Sequence, residues 1–338
     1  MKAVGLTRYL PIDDPDSLQD IELAKPEPTG HDLLVRVEAV SVNPVDTKVR
    51  SPKANVEAQP KILGYDAAGV VEAVGDQVTL FKPGDEVYYA GDITRSGSNA
   101  QFQLADERIV GRKPATLDFA QAAAMPLTTI TAWELLFHRM PFSIDTECNG
   151  RSLLVIAGAG GVGSIAIQLA RRAGFQVIAT ASRAETIAWC RQMGAQQVID
   201  HRQPLAPQLK TIGFEQVDVV LNFASTDRYW EQVGEIIAPL GHVGLIVEPA
   251  EPLRIGDPYK AKSVGIHWEM MFARPRFRTP DMIEQHRLLN RAASLIDAGE
   301  LRSTQATTLG VINAANLREA HHQLESGATI GKLVLAGW

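Results

Sequence analysis

The chain has 338 residues, 45% of them hydrophobic and 21% charged, with a formal net charge of -6. That length suits two domains of ordinary size, and the acidic balance gives no reason to expect a nucleic-acid or anionic-membrane partner. No apolar run approaches the ~20 residues that span a bilayer, and two cysteines build neither a disulfide framework nor a four-thiolate metal site. The start, Met1-Lys2-Ala3-Val4-Gly5-Leu6, has no apolar core with a cleavage site. A reduced, cytoplasmic setting is the simplest expectation.

Residues 1–120 read as strands and turns. Leu33 to Val42 is an apolar strand broken by Arg36 and Glu38. Gly69 to Gly75 is a short strand ending in a turn, and Phe81 to Tyr89 is a Pro-Gly turn feeding another strand. Short, closely spaced strands of this kind predict a partly open β barrel. The alanine-rich stretch Asp118 to Met125 predicts a helix, and Thr131 to Leu136 a second one. From Ser152 strands and helices alternate. The strands are Ser152–Ala157, Phe175–Ala181, Gln197–Ile199, Val217–Asn222, His242–Val247 and Ser263–Trp268. Helices fall at Ala166–Ala173, Ala184–Met193 and Tyr229–Ala238. Such alternation predicts right-handed crossovers and a doubly wound parallel sheet. Thr279-Pro280 reads as an N-cap followed by proline at the first helical position, with the helix running to Ala298 and stopped by Gly299. Asn313 caps a last helix ending near Gly327, and Ile330 to Leu335 is a final strand.

One segment of the alternating part carries chemistry. Leu153-Leu154-Val155-Ile156 runs into Ala157-Gly158-Ala159-Gly160-Gly161-Val162-Gly163, and a helix with an apolar face follows. This strand–turn–helix order is that of a dinucleotide site. Gly158 permits the tight turn, Gly160 lets the backbone approach a pyrophosphate, and Gly163 lets helix pack on strand. Ala159, Gly161 and Val162 complete the loop, and the helix N-terminus offers N–H groups and partial positive charge to phosphates. The next strand ends Ala181-Ser182-Arg183. An acid at the place of Ala181 would hold the ribose 2′-hydroxyl of NAD, whereas Ser182 and Arg183 suit a 2′-phosphate. Glu185 is the counterweight, although acids are ordinary in a first helical turn. NADPH is therefore the expected cofactor. Cys190 reads as packing beside Trp189, and Cys148, in the loop Thr146–Gly150, as an exposed thiol. The run Arg274-Pro275-Arg276-Phe277-Arg278 reads as a solvated loop, with anion binding as the alternative.

Further motifs are Ser41-Val42-Asn43-Pro44-Val45-Asp46, Gly64-Tyr65-Asp66-Ala67-Ala68-Gly69-Val70-Val71, Lys82-Pro83-Gly84-Asp85-Glu86-Val87 and Gly331-Lys332-Leu333-Val334-Leu335. In this order, and with the glycine turn, the chain resembles the medium-chain dehydrogenase/reductase superfamily over essentially its whole length. The quinone oxidoreductase and zinc-type alcohol dehydrogenase-like branch is the nearest in pattern. The resemblance implies a GroES-like catalytic domain from both chain ends, residues 1–124 and 300–338, around a Rossmann domain at 125–299. It also implies that Thr129, Thr131, Asn222 and Lys332 lie near the cofactor, with helix capping, a turn and a surface position as their ordinary alternatives.

In zinc members of the superfamily the catalytic ligands match Asn43, Tyr65 and a position near Met125 here, which do not make a zinc ligand set. The stretch matching the four-cysteine lobe, Gly91 to Arg112, has no cysteine. Of the eight histidines only His321 and His322 are neighbours, and adjacent residues of a helix point apart. No bound metal is expected. The resemblance then implies hydride transfer to acceptors that are already electrophilic, quinones or α,β-unsaturated carbonyls. Tyr65 and then Asn43 are the expected oxyanion donors, with Lys48 tuning the phenol and Asp46 beside them. Two alternatives remain open: an alcohol or aldehyde dehydrogenase with metal bound some other way, and an NADPH-binding protein with little turnover. By the same likeness a homodimer is expected through Ser263–Trp268.

Overall fold

The computed structural model describes residues 1–145, 148 and 150–338. It divides into two compact units, Met1–Ile130 with Phe272–Trp338, and Thr131–Met271.

In chain order the first unit opens with strands β1 (Lys2–Tyr9), β2 (Gln19–Glu22) and β3 (Asp32–Ser41) and helix α1 (Pro44–Arg50). It continues with β4 (Lys53–Ile62), β5 (Ala67–Val74), β6 (Glu86–Tyr89), β7 (Phe102–Asp106), β8 (Val110–Arg112) and α2 (Phe119–Ala123). The unit boundary falls in α3 (Pro126–Trp133), which runs on as a π-helical turn over Glu134–Arg139. The second unit holds β9 (Ser152–Ile156), α4 (Gly161–Arg172), β10 (Gln176–Thr180), α5 (Ala184–Gln192) and β11 (Gln197–Ile199). It ends with α6 (Leu205–Thr211), β12 (Val217–Asn222), α7 (Thr226–Ile236), β13 (Ile237–Leu245) and β14 (Gly265–Trp268). The chain returns to the first unit with α8 (Ala273–Phe277), α9 (Glu284–Asp297), β15 (Gln305–Thr308), α10 (Ala314–Glu325) and β16 (Lys332–Ala336).

The first unit is built on β3, which pairs antiparallel with β5, β7 and β16. Its larger sheet runs β15-β16-β3-β5-β6-β8, and a smaller one runs β2-β1-β4. The apolar run of β3 is buried, and Arg36, which interrupts it, is exposed. Val35, Val37, Val87 and Leu335 meet in one core, so the C-terminal strand completes a sheet begun by the N-terminal ones. This is the GroES-like half of the expected architecture.

The second unit is a six-stranded, wholly parallel sheet ordered β11-β10-β9-β12-β13-β14. Its first strand, Ser-Leu-Leu-Val-Ile, is buried along its whole length, as a central strand covered on both faces must be. The order reverses between β9 and β12, where open α/β sheets bind ligands beyond the strand C-termini. No helix among the described residues is long and apolar enough to cross a membrane.

Several boundaries differ from expectation. The first unit includes 125–130 and 272–299, because α9 packs on β6 and β8. Tyr88 OH donates to the Leu289 carbonyl (2.6 Å), Arg112 N to Asn290 Oδ1 (2.9 Å), and the His286 ring bonds the Val110 carbonyl (2.7 Å). That helix begins at Glu284 and not at Pro280, since Arg278 turns the chain with φ 48° and tight turns fill the interval. Helix α6 escapes the sequence pattern because Pro207 sits in its first turn, a place proline tolerates. Ser225 caps α7 through its hydroxyl, so that helix starts at Thr226, and Ala238 belongs to β13. Cys148 is buried, with its N–H bonded to the Ala173 carbonyl (2.8 Å), whereas an exposed thiol was expected. Its neighbours Thr146, Glu147 and Asn149 lie outside the described residues. Arg274 is likewise buried, paired with Asp281 (2.9 Å) on the short helix α8, so the basic run is not one solvated loop.

Candidate active site

The turn between β9 and α4 has the form the glycine spacing predicts, with one exchange of roles. The left-handed residue is Ala157, with φ 64°; Gly158 does not have a positive φ. Gly158 is needed for space: a methyl group there would fall 2.7 Å from Ala179 Cβ and 3.1 Å from Cys190 Sγ. At Gly163 it would fall 2.3 Å from the Ala157 carbonyl oxygen, which is the helix-on-strand packing expected. At Gly160 the nearest atom is 3.4 Å away, so that position is open on the side a ligand would take. Gly160 caps α4 without a side chain. The first-turn N–H groups of Gly161, Val162 and Gly163 then have no intrahelical acceptor, and with the helix dipole they fit a pyrophosphate. Buried Ala159 completes the bend. Asn222, at the end of β12, bonds Ala224 N (3.1 Å) and the Ser225 carbonyl (3.4 Å) and so holds its own turn.

A polar cluster stands after β10. Ser182 Oγ lies 3.4 Å from His201 Nε2, on the segment after β11. Arg202 donates to the Ser182 carbonyl (3.2 Å), and Arg228 of α7 to the His201 carbonyl (3.5 Å). Arg183 pairs with Glu185 (2.9 Å), and Arg202 with Asp200 (2.7 Å). Burial, followed by Arg228, Arg202 and Arg183, pushes His201 below the usual imidazole range against the opposing pull of Asp200. Ser182 and Arg183 were legible in the sequence. His201, Arg202 and Arg228 were not, because they reach the place from other elements.

The first unit gathers three motifs into one buried network. Asp46 caps α1 by accepting from Asn43 N (2.7 Å), and it also accepts from Gly64 N (3.0 Å). Asn43 Nδ2 donates to Asp66 (2.8 Å) and to the Ser41 carbonyl (3.5 Å). Lys332 Nζ donates to the Val42 carbonyl (2.8 Å), Asn43 Oδ1 (2.5 Å) and Asp66 (3.0 Å). Leu127 N closes the set on Asp66 (2.7 Å). All four side chains are buried. Burial raises the Asp46 carboxyl to about 7 despite its two backbone donors and Lys332, and it raises Asp66 as well. Lys332 is thus no surface lysine, and its acceptors are in this network. Both amide atoms of Asn43 are engaged, so its donors are not available to a substrate oxygen in this arrangement. Asp66 carries the network and was not singled out in the sequence; an acid inside the apolar run Gly64–Val71 was the available signal.

Tyr65 follows Gly64 and is 1% exposed, with its ring edge-on to Phe272 (centroids 5.3 Å). Its hydroxyl has no hydrogen-bond partner among the described residues. Burial, then the charges of Asp46, Tyr9 and Asp92, hold the phenol well above its ordinary value, so it is protonated at neutral pH. Lys48 is exposed on α1, whereas tuning the phenol needs an inward-pointing ammonium. Thr129 is wholly buried with Oγ1 unpartnered among the described residues, and Thr131 is buried in the same helix.

These residues do not fit zinc. A lysine ammonium already binds Asn43 Oδ1, Tyr65 retains its proton, and buried Met125 Sδ accepts from Thr304 N (3.3 Å). Two positive groups do not share one amide oxygen favourably, and a neutral phenol is a poor ligand. His321 is buried against Arg50 Nε (3.3 Å), while exposed His322 lies 3.5 Å from Asp13. Among the described residues no three His, Cys, Asp or Glu side chains form a metal-holding group.

Together the two folds and the glycine turn define a two-unit nucleotide-dependent oxidoreductase. Family models agree: residues 29–129 match the alcohol dehydrogenase GroES-like domain, and 193–335 the zinc-binding dehydrogenase model. The chain is 44% identical to a zinc-type alcohol dehydrogenase-like protein of Staphylococcus aureus over 336 residues, 99% of each chain. It is similar to the crystal structure of a Rhizobium etli protein assigned to the zinc-dependent alcohol dehydrogenases (52% identity, TM-score 0.94, covering 100% of this chain and 98% of that one). It is also similar to Escherichia coli quinone oxidoreductase complexed with NADPH (26% identity, TM-score 0.83, covering 99% and 100%). The chain belongs to the medium-chain dehydrogenase/reductase superfamily.

Proposed function

We propose that the chain is a zinc-independent, NADPH-dependent reductase of quinones or α,β-unsaturated carbonyls. The observation that carries this reading is the Lys332 ammonium on Asn43, with a neutral Tyr65 at the second of the three places where zinc relatives hold their metal. Without a Lewis acid, an acceptor must spread the incoming charge by itself, and quinones and enones do. NADPH, bound at the glycine turn with its 2′-phosphate toward Ser182 and Arg183, would supply the hydride. The complex of E. coli quinone oxidoreductase with NADPH supports that choice.

In this reading Tyr65 is the donor. Its proton is held at the phenol oxygen by burial, and the hydroxyl has no partner to give up when an oxyanion arrives. Asn43, Asp46, Asp66 and Lys332 are positioning residues that fix the segments on either side of that phenol. The last strand, β14, has a free edge in the sheet order and ends in half-exposed Trp268. We place a homodimer contact there; sedimentation equilibrium checks it, and a concentration-independent monomer mass rules it out.

The decisive experiment pairs NADPH with NADH oxidation against benzoquinones, enones and aldehydes, with metal content measured on the same sample. Turnover with quinones or enones, preferring NADPH and with substoichiometric zinc, is expected. Stoichiometric zinc with alcohol or aldehyde turnover would overturn the reading, and tight NADPH binding with no turnover on the panel would make the chain a binding protein. Tyr65→Phe should lower kcat about tenfold or more while leaving NADPH affinity unchanged, as loss of one transition-state hydrogen bond does.

A further inference from the structure

We infer that His201 is a specificity residue of the nucleotide site that acts by changing protonation. A 2′-phosphorylated adenine nucleotide draws a proton from solvent onto its ring, and a 2′-hydroxyl nucleotide does not. This rests on the NADPH reading above and goes beyond it.

The ring faces Ser182 Oγ at 3.4 Å, two residues beyond the end of β10, where a 2′-phosphate is expected. Charged groups face it from every element that builds the place. Arg183 comes from the end of β10, with Glu185 of α5 paired to it; Asp200 and Arg202 flank the ring after β11; Arg228 comes from α7. Three guanidiniums stand against two carboxylates. A fourth positive charge is disfavoured there, and half-burial acts in the same direction, so the free protein holds the imidazole neutral. A phosphate ester with up to two negative charges reverses the balance. Its oxygens are acceptors only, and a protonated ring offers a donor at both nitrogens whichever tautomer precedes it. The uncharged 2′-hydroxyl of NADH supplies no such drive. Discrimination between the two nucleotides therefore grows as pH falls toward the titration range of the ring.

The test is calorimetric titration of the full chain with 2′,5′-ADP and with 5′-AMP at pH 7.5, in two buffers of different ionisation enthalpy. That pH lies above the second ionisation of the phosphate, near 6, so proton uptake there belongs to the protein. Wild type should take up a fraction of a proton with 2′,5′-ADP and none with 5′-AMP. His201→Gln should abolish the uptake, leave 5′-AMP binding unchanged and weaken 2′,5′-ADP several-fold at pH 6.5 and less at pH 8.5, because only the protonated ring adds to phosphate binding. A second readout needs no variant: in wild type the titration of the His201 ring, followed by NMR, should move upward when 2′,5′-ADP is bound. Absence of uptake in wild type, uptake that persists in His201→Gln, or an unmoved ring titration overturns the inference while leaving the NADPH reading intact. If 2′,5′-ADP binds no more tightly than 5′-AMP at any pH, the NADPH reading itself falls.

Discussion

In the turn between β9 and α4 the groups offered to a ligand are backbone N–H groups, and the residues matter for what they lack. Gly158 and Gly163 are there because Ala179 Cβ and the Ala157 carbonyl leave no room for a side chain. Around Asp66 the reverse holds. Asn43, Asp46 and Lys332 matter for the atoms they bring, and they come from α1 and from β16, far apart in the chain. A site made of missing side chains is local and tolerates almost no addition. A site made of buried charges is non-local and tolerates almost no subtraction.

The sharpest way to break that contrast is Lys332→Met. It removes the cation and leaves the Asp66 carboxylate buried, which costs about 3–5 kcal/mol. Urea denaturation at pH 8 and at pH 5 measures the loss, which should be smaller at the lower pH, because burial raises the Asp66 carboxyl and a proton taken up there replaces the missing charge. Equal losses at both pH values would show that the network is not ionic. Gly163→Val comes next. Overpacking against Ala157 should cost about 1–3 kcal/mol and abolish nucleotide binding. Gly160→Ala, with 3.4 Å of room, should leave stability nearly unchanged and weaken only the nucleotide; thermal melts with and without NADPH separate the two.

Asp46 gives the comparison a pH axis. Burial raises its carboxyl to about 7 from the ordinary 3.8, so the native state keeps this proton where the unfolded chain has lost it. Its contribution to stability is therefore greatest below about pH 4 and declines as pH rises to about 7. Asp46→Asn should flatten melting temperature across that window, at the loss of one backbone hydrogen bond worth about 1 kcal/mol. The smallest effect belongs to Tyr65→Phe. Removing a buried hydroxyl with no partner should raise stability by up to about 1 kcal/mol even as it slows turnover, a pairing that a purely structural tyrosine would not give.

The parallel sheet and its turn were legible because each rests on short-range pattern. The apolar run Leu153–Ile156 and the spacing Gly158, Gly160, Gly163 carry their meaning wherever the rest of the chain lies. Motif likeness singled out Asn43 and Asp46 for the substrate cleft and Lys332 for the cofactor. It did not reveal that the three hold one another, since a pairing of Lys332 with Asp66 depends on which strands become neighbours, a fact of tertiary topology. The same reason hid His201, Arg202 and Arg228, and it moved α9 into the first unit, where its partners Tyr88 and Arg112 lie on β6 and β8. Ala157 shows the opposite failure: a strained backbone at a non-glycine residue leaves no mark in composition.

Strand β16 lies against β3 and carries Lys332 to Asp66, so synthesis itself sets an order of events. As the polypeptide leaves the ribosome, residues 152–268 can assemble their sheet from consecutive strands. Asp66, made much earlier, lacks the Lys332 ammonium until that residue, 266 positions further along the chain, emerges. Until then the amino-terminal portion must keep that carboxylate hydrated or protonated, and maturation of the two halves should be separated in time.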